Sequence, residues 1–391
     1  MSYRLLSSNI INTEWSAILK LQNFPNSNHI PNFFLLNRVW CCSNNYNNLE
    51  MEDLDPTKLI VINDQRSLDR KISAIRNAGP SKLQVIADFD ATLTRYWVNG
   101  LRGQSSHGLL KQGNPEYDAK RQALFEYYHP LEFSPAIPLE EKTKLMEEWW
   151  GKTHGLLIEG GLTYDAIKSS VANSNIAFRD GVVELFELLE EKDVPVLIFS
   201  AGLADIIEEV LRQKVQRYFK NIKIVSNQMV FDDSGRLVSF KGKLIHSLNK
   251  NEHALDMATP LHDQTGGIDG AVADNASVKQ RTNVLLLGDH TGDLGMSDGL
   301  NYENRISVGF LNGYEDPNTQ KNLRGKKKNI PVPGSYPYLI QLSPTNIPYR
   351  NDNIEKNLES YRKAFDIVYL NDRPMWGVVD LAAELCSKFD G

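Results

Sequence analysis

The sequence predicts an α/β fold in which a doubly wound, mostly parallel sheet carries a helical unit inserted after its first strand. Four short runs rich in Val, Ile and Leu resemble strands buried on both faces of a parallel sheet: LQVIAD (83–88), VPVLIFS (194–200), IKIVSN (222–227) and NVLLLGD (283–289). Between them, residues 180–192 and 203–215 repeat apolar side chains at helical spacing. About 100 residues separate the first two runs, far more than one crossover helix requires, which predicts the inserted unit.

The composition of the chain distinguishes a folded core from segments that are predicted to lie outside it. Residues 1–50 are rich in Asn and Ser and hold only two acidic residues, Glu14 and Glu50, so we expect a disordered or targeting leader. Residues 261–283 are polar and Gly-rich and predict a long surface loop. Residues 316–353 are predicted to form an irregular insertion, because they contain prolines at positions 331, 333, 337, 344 and 348. The remaining segments are assigned as core (51–95, 179–315 and 354–391) and helical cap (96–178).

Overall composition narrows the class of protein. Lys and Arg number 43 against 49 Asp and Glu, for a formal charge of −6, which argues against binding a nucleic-acid polymer or an anionic membrane. No apolar run approaches the roughly 20 residues that a membrane helix requires. The cysteines are Cys41, Cys42 and Cys386, without a CxxC pair, so neither a disulfide framework nor a thiolate metal site is predicted. We expect a soluble protein of the cytoplasm, or of an organelle if the leader is a transit segment.

Polar residues of a specific kind end three of the predicted strands. The first strand ends in Asp88 and Asp90, and the second ends in Ser200, after which Ala201 and Gly202 are expected to open a helix. The strand NVLLLGD ends in Asp289, with Asp293 four residues later. Ligands of an open parallel sheet lie at the carboxyl ends of its strands, so these side chains should converge. Converging acids repel one another unless a cation lies among them, and oxygen ligands without His or Cys favour Mg²⁺.

This arrangement suits phosphoryl transfer. We expect Asp88 to attack phosphorus and Asp90 to act as general acid and base, while the Thr92 hydroxyl holds the loop. A lysine is wanted to balance the phosphate charge. Lys250, Lys241 and Lys243 are all candidates on the basis of the residues alone.

The motifs resemble those of the haloacid dehalogenase superfamily: DFDATLT, FSAG, a lysine, and LLLGDHTGDLGMSDG, in that order. Longer stretches, among them YYHPLE, EEWWGKTHGLL and KIVSNQMVFDDSGRLVSFKGKLIHSLNKNEHAL, look like the cytosolic 5′-nucleotidase III family, also called pyrimidine 5′-nucleotidases, which includes a 7-methylguanosine-phosphate-specific branch. The resemblance covers about residues 55–311 and 353–389.

The resemblance implies a role for each matching residue. It makes Asp88 the phosphorylated nucleophile and Asp90 the proton donor and acceptor, with Mg²⁺ held by Asp88, the Asp90 carbonyl and Asp289. Phosphate would be bound by Ser200, Ala201 and Lys250, which favours Lys250 over the other two lysines. Base and sugar would be read by Glu132 in YYHPLE and by Thr153 in GKTH, where relatives usually carry serine.

Two departures from the family pattern concern the first motif and the cap. Ala91 stands where relatives commonly have methionine, and GQSSHG replaces a CPTCH-like run, which leaves His107 alone. These differences leave the base preference open.

The sequence therefore predicts a Mg²⁺-dependent 5′-nucleotidase that converts pyrimidine nucleotides, 7-methyl-GMP or both to nucleoside and phosphate through phospho-Asp88. A phosphatase of another small phosphomonoester, or a nucleoside phosphotransferase, would need the same core. A catalytically silent nucleotide-binding protein is the alternative outside enzymes, and the complete set of motif residues argues against it. Nothing in the sequence predicts an oligomeric state.

Overall fold

A nine-stranded sheet forms the centre of the described part of the chain. The computed structural model describes residues 60–132, 134–251, 259–260, 280–298, 300–313 and 351–387. The strands are β1 (Ile60–Ile62), β2 (Leu83–Ala87), β5 (Val196–Leu203), β6 (Ile222–Phe231), β7 (Leu237–Lys241), β8 (Thr259–Pro260), β9 (Asn283–Gly288), β10 (Asn304–Leu311) and β11 (Ile367–Leu370), and a separate hairpin pairs β3 (Trp97–Val98) with β4 (Leu101–Arg102).

The middle of the sheet is parallel and its edges are antiparallel. Strands β11, β10, β9, β2, β5 and β6 lie side by side in that order and run in one direction. Strand β1 pairs antiparallel with β11, while β7 and β8 pair antiparallel with β6. The predicted doubly wound, mostly parallel sheet is therefore confirmed, and all four predicted strands belong to its parallel part.

The helices are α1 (Gln65–Ala78), α2 (Pro115–Glu132), α3 (Leu139–Glu159), α4 (Tyr164–Ala172), α5 (Val182–Glu191), α6 (Ala204–Lys214), α7 (Asn351–Ala364) and α8 (Trp376–Cys386). Helices α1, α5, α6 and α8 cover one face of the sheet and α7 covers the other, and successive strand residues point to these opposite sides. In β2, Val85 and Ala87 face the cluster formed with α1, α5, α6 and α8, whereas Ile86 faces the cluster that α7 covers.

The start of α6 differs from the sequence prediction. Ala201 and Gly202 were expected to open a helix, but β5 continues through Leu203 and α6 begins at Ala204. The pairing of β5 with β6 changes register between Phe199 and Leu203. The irregular end of the strand therefore occupies the positions where the sequence predicted the first helical turn.

The segment between β2 and α5 contains the β3–β4 hairpin and helices α2, α3 and α4. Helices α2 and α3 share a small cluster of their own, built on Tyr128, Met146 and Trp149. Helix α4 differs, because its buried Ile167 and Val171 belong to the main core. The α2–α3 pair is thus the part of residues 96–178 with a separate apolar centre.

Several sequence predictions lie outside the described residues. These are the leader at 1–50, the loop at 261–279 and the insertion from 316 to 350. Helix α7 begins at Asn351, three residues before the predicted return of the core. Among the described helices, none combines the length and apolar character needed to span a membrane.

A buried stack joins α3 to β7. The imidazole of His154 lies against the Phe240 ring with centroids 3.9 Å apart and planes 12° from parallel. Burial lowers the pKa of His154 to about 4. The folded protein therefore keeps the His154 imidazole neutral down to about pH 4, whereas in the unfolded chain the same imidazole is protonated below about pH 6.5.

We expect His154 to make the fold acid-sensitive. Folding lowers the pKa of His154, so protonation of this imidazole favours the unfolded chain. The contribution of His154 to the unfolding free energy is therefore unaffected above pH 6.5 and decreases as pH falls from about 6.5 toward 4. Between pH 7 and pH 5, the unfolding free energy of His154→Leu should fall by about 2 kcal/mol less than that of the unsubstituted protein. Urea unfolding at both pH values measures this difference. Phe240→Leu, which removes the stack but no titrating group, should retain the wild-type pH dependence, and equal slopes for all three proteins would contradict the prediction.

Candidate active site

Asp88 begins the turn that follows the central strand β2. Its backbone N–H donates to the carbonyl of Leu287 at 2.9 Å, which ties the turn to neighbouring β9. Ala91 adopts a left-handed conformation with φ of 59°, which is costly for a residue with a Cβ and persists only where surrounding contacts hold it. The Thr94 hydroxyl accepts a hydrogen bond from the Ala91 N–H at 2.9 Å. Thr92 was predicted to hold this loop, but its buried hydroxyl has no hydrogen-bond partner among the described residues, because the turn directs Thr94 to the backbone instead.

Three carboxylates meet at the ends of β2 and β9. Asp88, Asp289 and Asp293 each offer an oxygen within 4.8 Å of the others. The ammonium of Lys250 donates to Asp88 and, at 2.9 Å, to Asp293. Lys250 is buried, whereas the competing lysines at positions 241 and 243 are exposed. The structure thus places Lys250, and neither alternative, in the acid cluster.

The loop after β9 fixes Asp293 within this cluster. Asp293 Oδ2 accepts from the backbone N–H of Asp289 at 3.1 Å and of His290 at 2.9 Å. Gly288 permits this approach, since a Cβ there would lie 2.6 Å from the Asp293 Cβ. From the opposite side, the Tyr361 hydroxyl of α7 donates to the Asp289 carbonyl.

The cluster carries unfavourable negative charge. Burial raises the pKa of Asp88 to about 7, although Lys250 acts in the opposite direction, and Asp293 adds to the increase. Burial, with the charges of Asp88 and Asp293, also raises the pKa of Asp289 well above its ordinary range. Burial tends to lower the pKa of Lys250, but Asp293 and Asp88 outweigh it and raise that pKa.

The donor set fits a hard divalent cation. One ammonium cannot neutralise three carboxylates, and all the available ligand atoms are oxygens. The Asp90 side chain is not part of this set, and both its oxygens accept from Ser106. The family resemblance implies a ligand role for the Asp90 backbone carbonyl.

Ser200 and Ala201 lie in the irregular end of β5. The Ser200 hydroxyl accepts from the Gly202 N–H at 3.0 Å. Buried Asn227 donates to the carbonyls of Ala201 at 3.1 Å and Gly202 at 3.0 Å. The indole N–H of Trp150, on α3, donates to the same Ala201 carbonyl at 2.8 Å. An inserted helix therefore contacts the turn that sequence reasoning assigned to phosphate.

The two predicted base and sugar contacts lie on the α2–α3 pair. Glu132 is the last residue of α2 and is half-buried. Burial lowers the pKa of His129, and the charge of Glu132 acts in the opposite direction. Thr153 is buried in α3, and its hydroxyl has no hydrogen-bond partner within the described ranges. An unpaired buried hydroxyl is costly, so a polar ligand would satisfy it.

Arg179 supports the turn that follows Asp88. Its fully buried guanidinium donates to the carbonyls of Thr92, at 2.6 Å, and Ala91. It also forms an ion pair with Asp372 at 2.8 Å and donates to the Asn312 amide oxygen at 2.8 Å. The Asn312 amide N–H₂ in turn donates to Ala91 at 2.9 Å. This network compensates for the left-handed backbone at Ala91.

Sequence reasoning missed Ser106, Trp150, Arg179 and Asn227. It searched the ends of predicted strands, where side chains face the ligand. Ser106 and Trp150 come from the inserted segment, while Arg179 and Asn227 act on backbone carbonyls. The sequence held one relevant signal. A charged or amide side chain next to apolar residues, such as Arg179 or Asn227, needs hydrogen-bond partners if it is buried.

The chain is similar to several known proteins. The family model described as pyrimidine 5′-nucleotidase (UMPH-1) matches residues 91–325 and 342–386. A 7-methylguanosine phosphate-specific 5′-nucleotidase A of Xenopus laevis is 39% identical over 265 residues, which cover 67% of this chain and 86% of the relative. The 7-methylguanosine phosphate-specific 5′-nucleotidase of Gallus gallus is 42% identical over 245 residues, covering 62% of this chain and 80% of the relative. Among solved structures, that of cytosolic 5′-nucleotidase IIIB bound to cytidine superposes with a TM-score of 0.60 at 25% identity, covering 83% of this chain and 93% of that one.

We expect Arg179→Lys to lower both stability and turnover. An ammonium retains the charge opposite Asp372 but cannot reach the two turn carbonyls together, so the unfolding free energy should fall by about 3 kcal/mol. Arg217→Lys is the matched control, because Arg217 is half-exposed and pairs with Glu187 and Glu190 at the surface; it should change stability by less than about 0.5 kcal/mol. Urea unfolding followed by circular dichroism, with the phosphatase assay described below, compares them. Equal losses for the two variants would contradict the support assigned to Arg179.

Proposed function

The chain belongs to the pyrimidine 5′-nucleotidase family, and from this premise we propose a Mg²⁺-dependent hydrolysis of nucleoside 5′-monophosphates through a phosphorylated Asp88. The enzyme is a 5′-nucleotidase and a hydrolase. The observation that carries the mechanistic proposal is the buried contact of Lys250 with Asp88 and Asp293, beside Asp289.

The metal-binding residues in this proposal are Asp88, Asp289 and the backbone carbonyl of Asp90. Their support is the convergence of carboxylate oxygens and the raised pKa values of Asp88, to about 7, and of Asp289. Bound Mg²⁺ would neutralise carboxylate and phosphate charge and polarise the phosphoryl group. Asp293 is assigned to holding Lys250 and the loop after β9, since it accepts from both.

The first chemical step transfers the phosphoryl group to Asp88. A carboxylate oxygen of Asp88 forms a bond to phosphorus as the bond from phosphorus to the ribose 5′ oxygen breaks. Asp90 gives its proton to that leaving oxygen, so the nucleoside departs neutral. Lys250, Ser200 and the Ala201 N–H hold the phosphate oxygens in this proposal. Burial raises the pKa of Asp90, which favours the protonated form that the step requires.

The second step regenerates the enzyme. Water attacks phosphorus, the bond between phosphorus and the Asp88 oxygen breaks, and Asp90 accepts the proton that the water loses. Inorganic phosphate leaves and Asp88 returns to its carboxylate form. Asp90 therefore finishes the cycle in the protonation state in which it began.

Substrate choice is assigned to the α2–α3 pair, since the phosphate contacts are common to every phosphomonoester. Thr153 and Glu132 are the proposed contacts to sugar and base, supported by the unpaired buried hydroxyl of Thr153. The relatives named above are specific for 7-methylguanosine phosphate, and the solved relative holds cytidine. We therefore propose that pyrimidine nucleotides and 7-methyl-GMP are the substrates to examine first. A cytosolic 5′-nucleotidase is also among the relatives, from Caenorhabditis elegans, which supports a cytoplasmic location.

The decisive assay is phosphate release from UMP, CMP, GMP, AMP and 7-methyl-GMP, each with Mg²⁺ and with EDTA. We expect metal-dependent release that is confined to the pyrimidine or 7-methylated nucleotides. Asp88→Asn should remain folded and release no phosphate. Retained turnover by Asp88→Asn would overturn the nucleophile assignment, and release from non-nucleotide phosphomonoesters alone would favour the other phosphatase class. Transfer of phosphate to an added nucleoside would identify a phosphotransferase.

Metal binding can be measured without activity. If Mg²⁺ binds only the folded protein, a concentration 100-fold above the dissociation constant should stabilise it by about 2.7 kcal/mol. Asp289→Asn should lose most of this stabilisation in a thermal unfolding experiment. Asp298→Asn is the matched control, because Asp298 is an exposed carboxylate on the same loop that faces Arg305, and it should respond like the unsubstituted protein. Equal stabilisation of both variants would place the ion elsewhere.

A further inference from the structure

Ser106 makes two hydrogen bonds to one carboxylate. Its backbone N–H donates to Asp90 Oδ1 at 2.7 Å, and its hydroxyl bonds Asp90 Oδ2 at 2.6 Å. The serine is completely buried. It follows the β3–β4 hairpin, at the start of the segment that leads into α2. Thus a residue of the inserted segment, and not of the sheet, holds the side chain of Asp90.

We propose that Ser106 is a positioning residue, which orients the Asp90 carboxyl for proton transfer to the leaving oxygen and from the attacking water. The inference rests on the function proposed above, and it assigns to Ser106 no contact with the reacting atoms. It explains how the Asp90 carboxyl can give a proton to the leaving oxygen and later accept one from water without changing its position.

The two hydrogen bonds fix the orientation of the Asp90 carboxyl. A backbone N–H can only donate, so Oδ1 remains an acceptor in both protonation states. A hydroxyl can donate or accept, so the Ser106 Oγ can bond Oδ2 whether or not Oδ2 is protonated. The two hydrogen bonds therefore hold the plane of the Asp90 carboxyl in one orientation in either protonation state. A carboxyl free to rotate would present the proton in many directions, and proton transfer depends on a fixed direction and a short distance.

The turn after Ser200 leaves room for this serine. A Cβ on Gly202 would lie 2.4 Å from the Ser106 Oγ and 3.2 Å from the Ser200 Oγ. Glycine at 202 thus allows the hydroxyl that holds Asp90 to pack against the turn assigned to phosphate. Through this contact, Ser106 joins the general acid, the phosphate turn and the inserted segment.

The leaving group provides the test. An activated aryl phosphate such as p-nitrophenyl phosphate loses its phenolate without a proton, whereas a nucleotide requires one. We expect Ser106→Ala to retain a rapid burst of p-nitrophenol, within about threefold of the unsubstituted rate, followed by a steady state slowed about 10-fold or more, since water activation still needs Asp90. Nucleotide hydrolysis should fall about 10-fold or more from the first turnover. Ser105→Ala is the matched control, because its exposed hydroxyl accepts only from Gly108, and it should behave like the unsubstituted enzyme.

A double-mutant cycle separates positioning from a general structural role. In an Asp90→Asn background, adding Ser106→Ala should change the remaining nucleotide turnover by less than about twofold, because Ser106 acts through Asp90. Circular dichroism verifies that each variant is folded.

Equal slowing of burst and steady state by Ser106→Ala would overturn the inference, as would a further loss in the Asp90→Asn background as large as the loss caused by Ser106→Ala alone. Normal nucleotide turnover by folded Ser106→Ala would also overturn it while leaving the nucleotidase proposal intact. If the unsubstituted enzyme released no phosphate from any nucleotide, the proposed function itself would fail.

Discussion

The site depends on one electrostatic constraint, which is that several carboxylates are buried together at the edge of a parallel sheet. Desolvation and mutual repulsion both disfavour their ionised forms. Lys250 offsets part of this cost by bonding Asp88 and Asp293 at once. Most other features of the site keep these groups from separating: the loop N–H groups on Asp293, the Tyr361 hydroxyl on the Asp289 carbonyl, and Arg179 on the turn that follows Asp88. The arrangement therefore favours a cation and a phosphate, since each relieves a charge that the protein cannot neutralise alone.

The sequence predicted most of the parallel sheet because strands buried on both faces need apolar residues at nearly every position. It predicted Asp88, Asp289 and Asp293 as neighbours because strand ends of one sheet share an edge, and the structure brings them together. The residues alone left three lysines as candidates beside them, and the family resemblance favoured Lys250, which the structure places in the cluster. It failed where backbone geometry decides. The irregular end of β5 moved the start of α6, and the left-handed residue at Ala91 gave the loop bond to Thr94 instead of Thr92.

Contacts made to backbone carbonyls were also beyond sequence reasoning. Arg179 and Asn227 are defined by the atoms they reach, and those atoms are present in every residue. Ser106 stands in a polar run whose letters resemble a surface loop, although the folded chain buries it against Asp90. Spacing along the chain does not encode such contacts, because they join segments whose relative position is set only by the completed core.

Arg179 and its partner Asp372 also bear on the order in which the protein is made. Asp372 lies after β11, and β11 separates β10 from β1, whose residues were synthesised about 300 positions earlier. Until Asp372 and β11 have been synthesised, the Arg179 guanidinium lacks this carboxylate and β1 lacks the strand with which it pairs. The turn carrying Asp88 then lacks part of its support. A nascent chain therefore contains its first acidic motif long before it contains every residue that holds that motif in place.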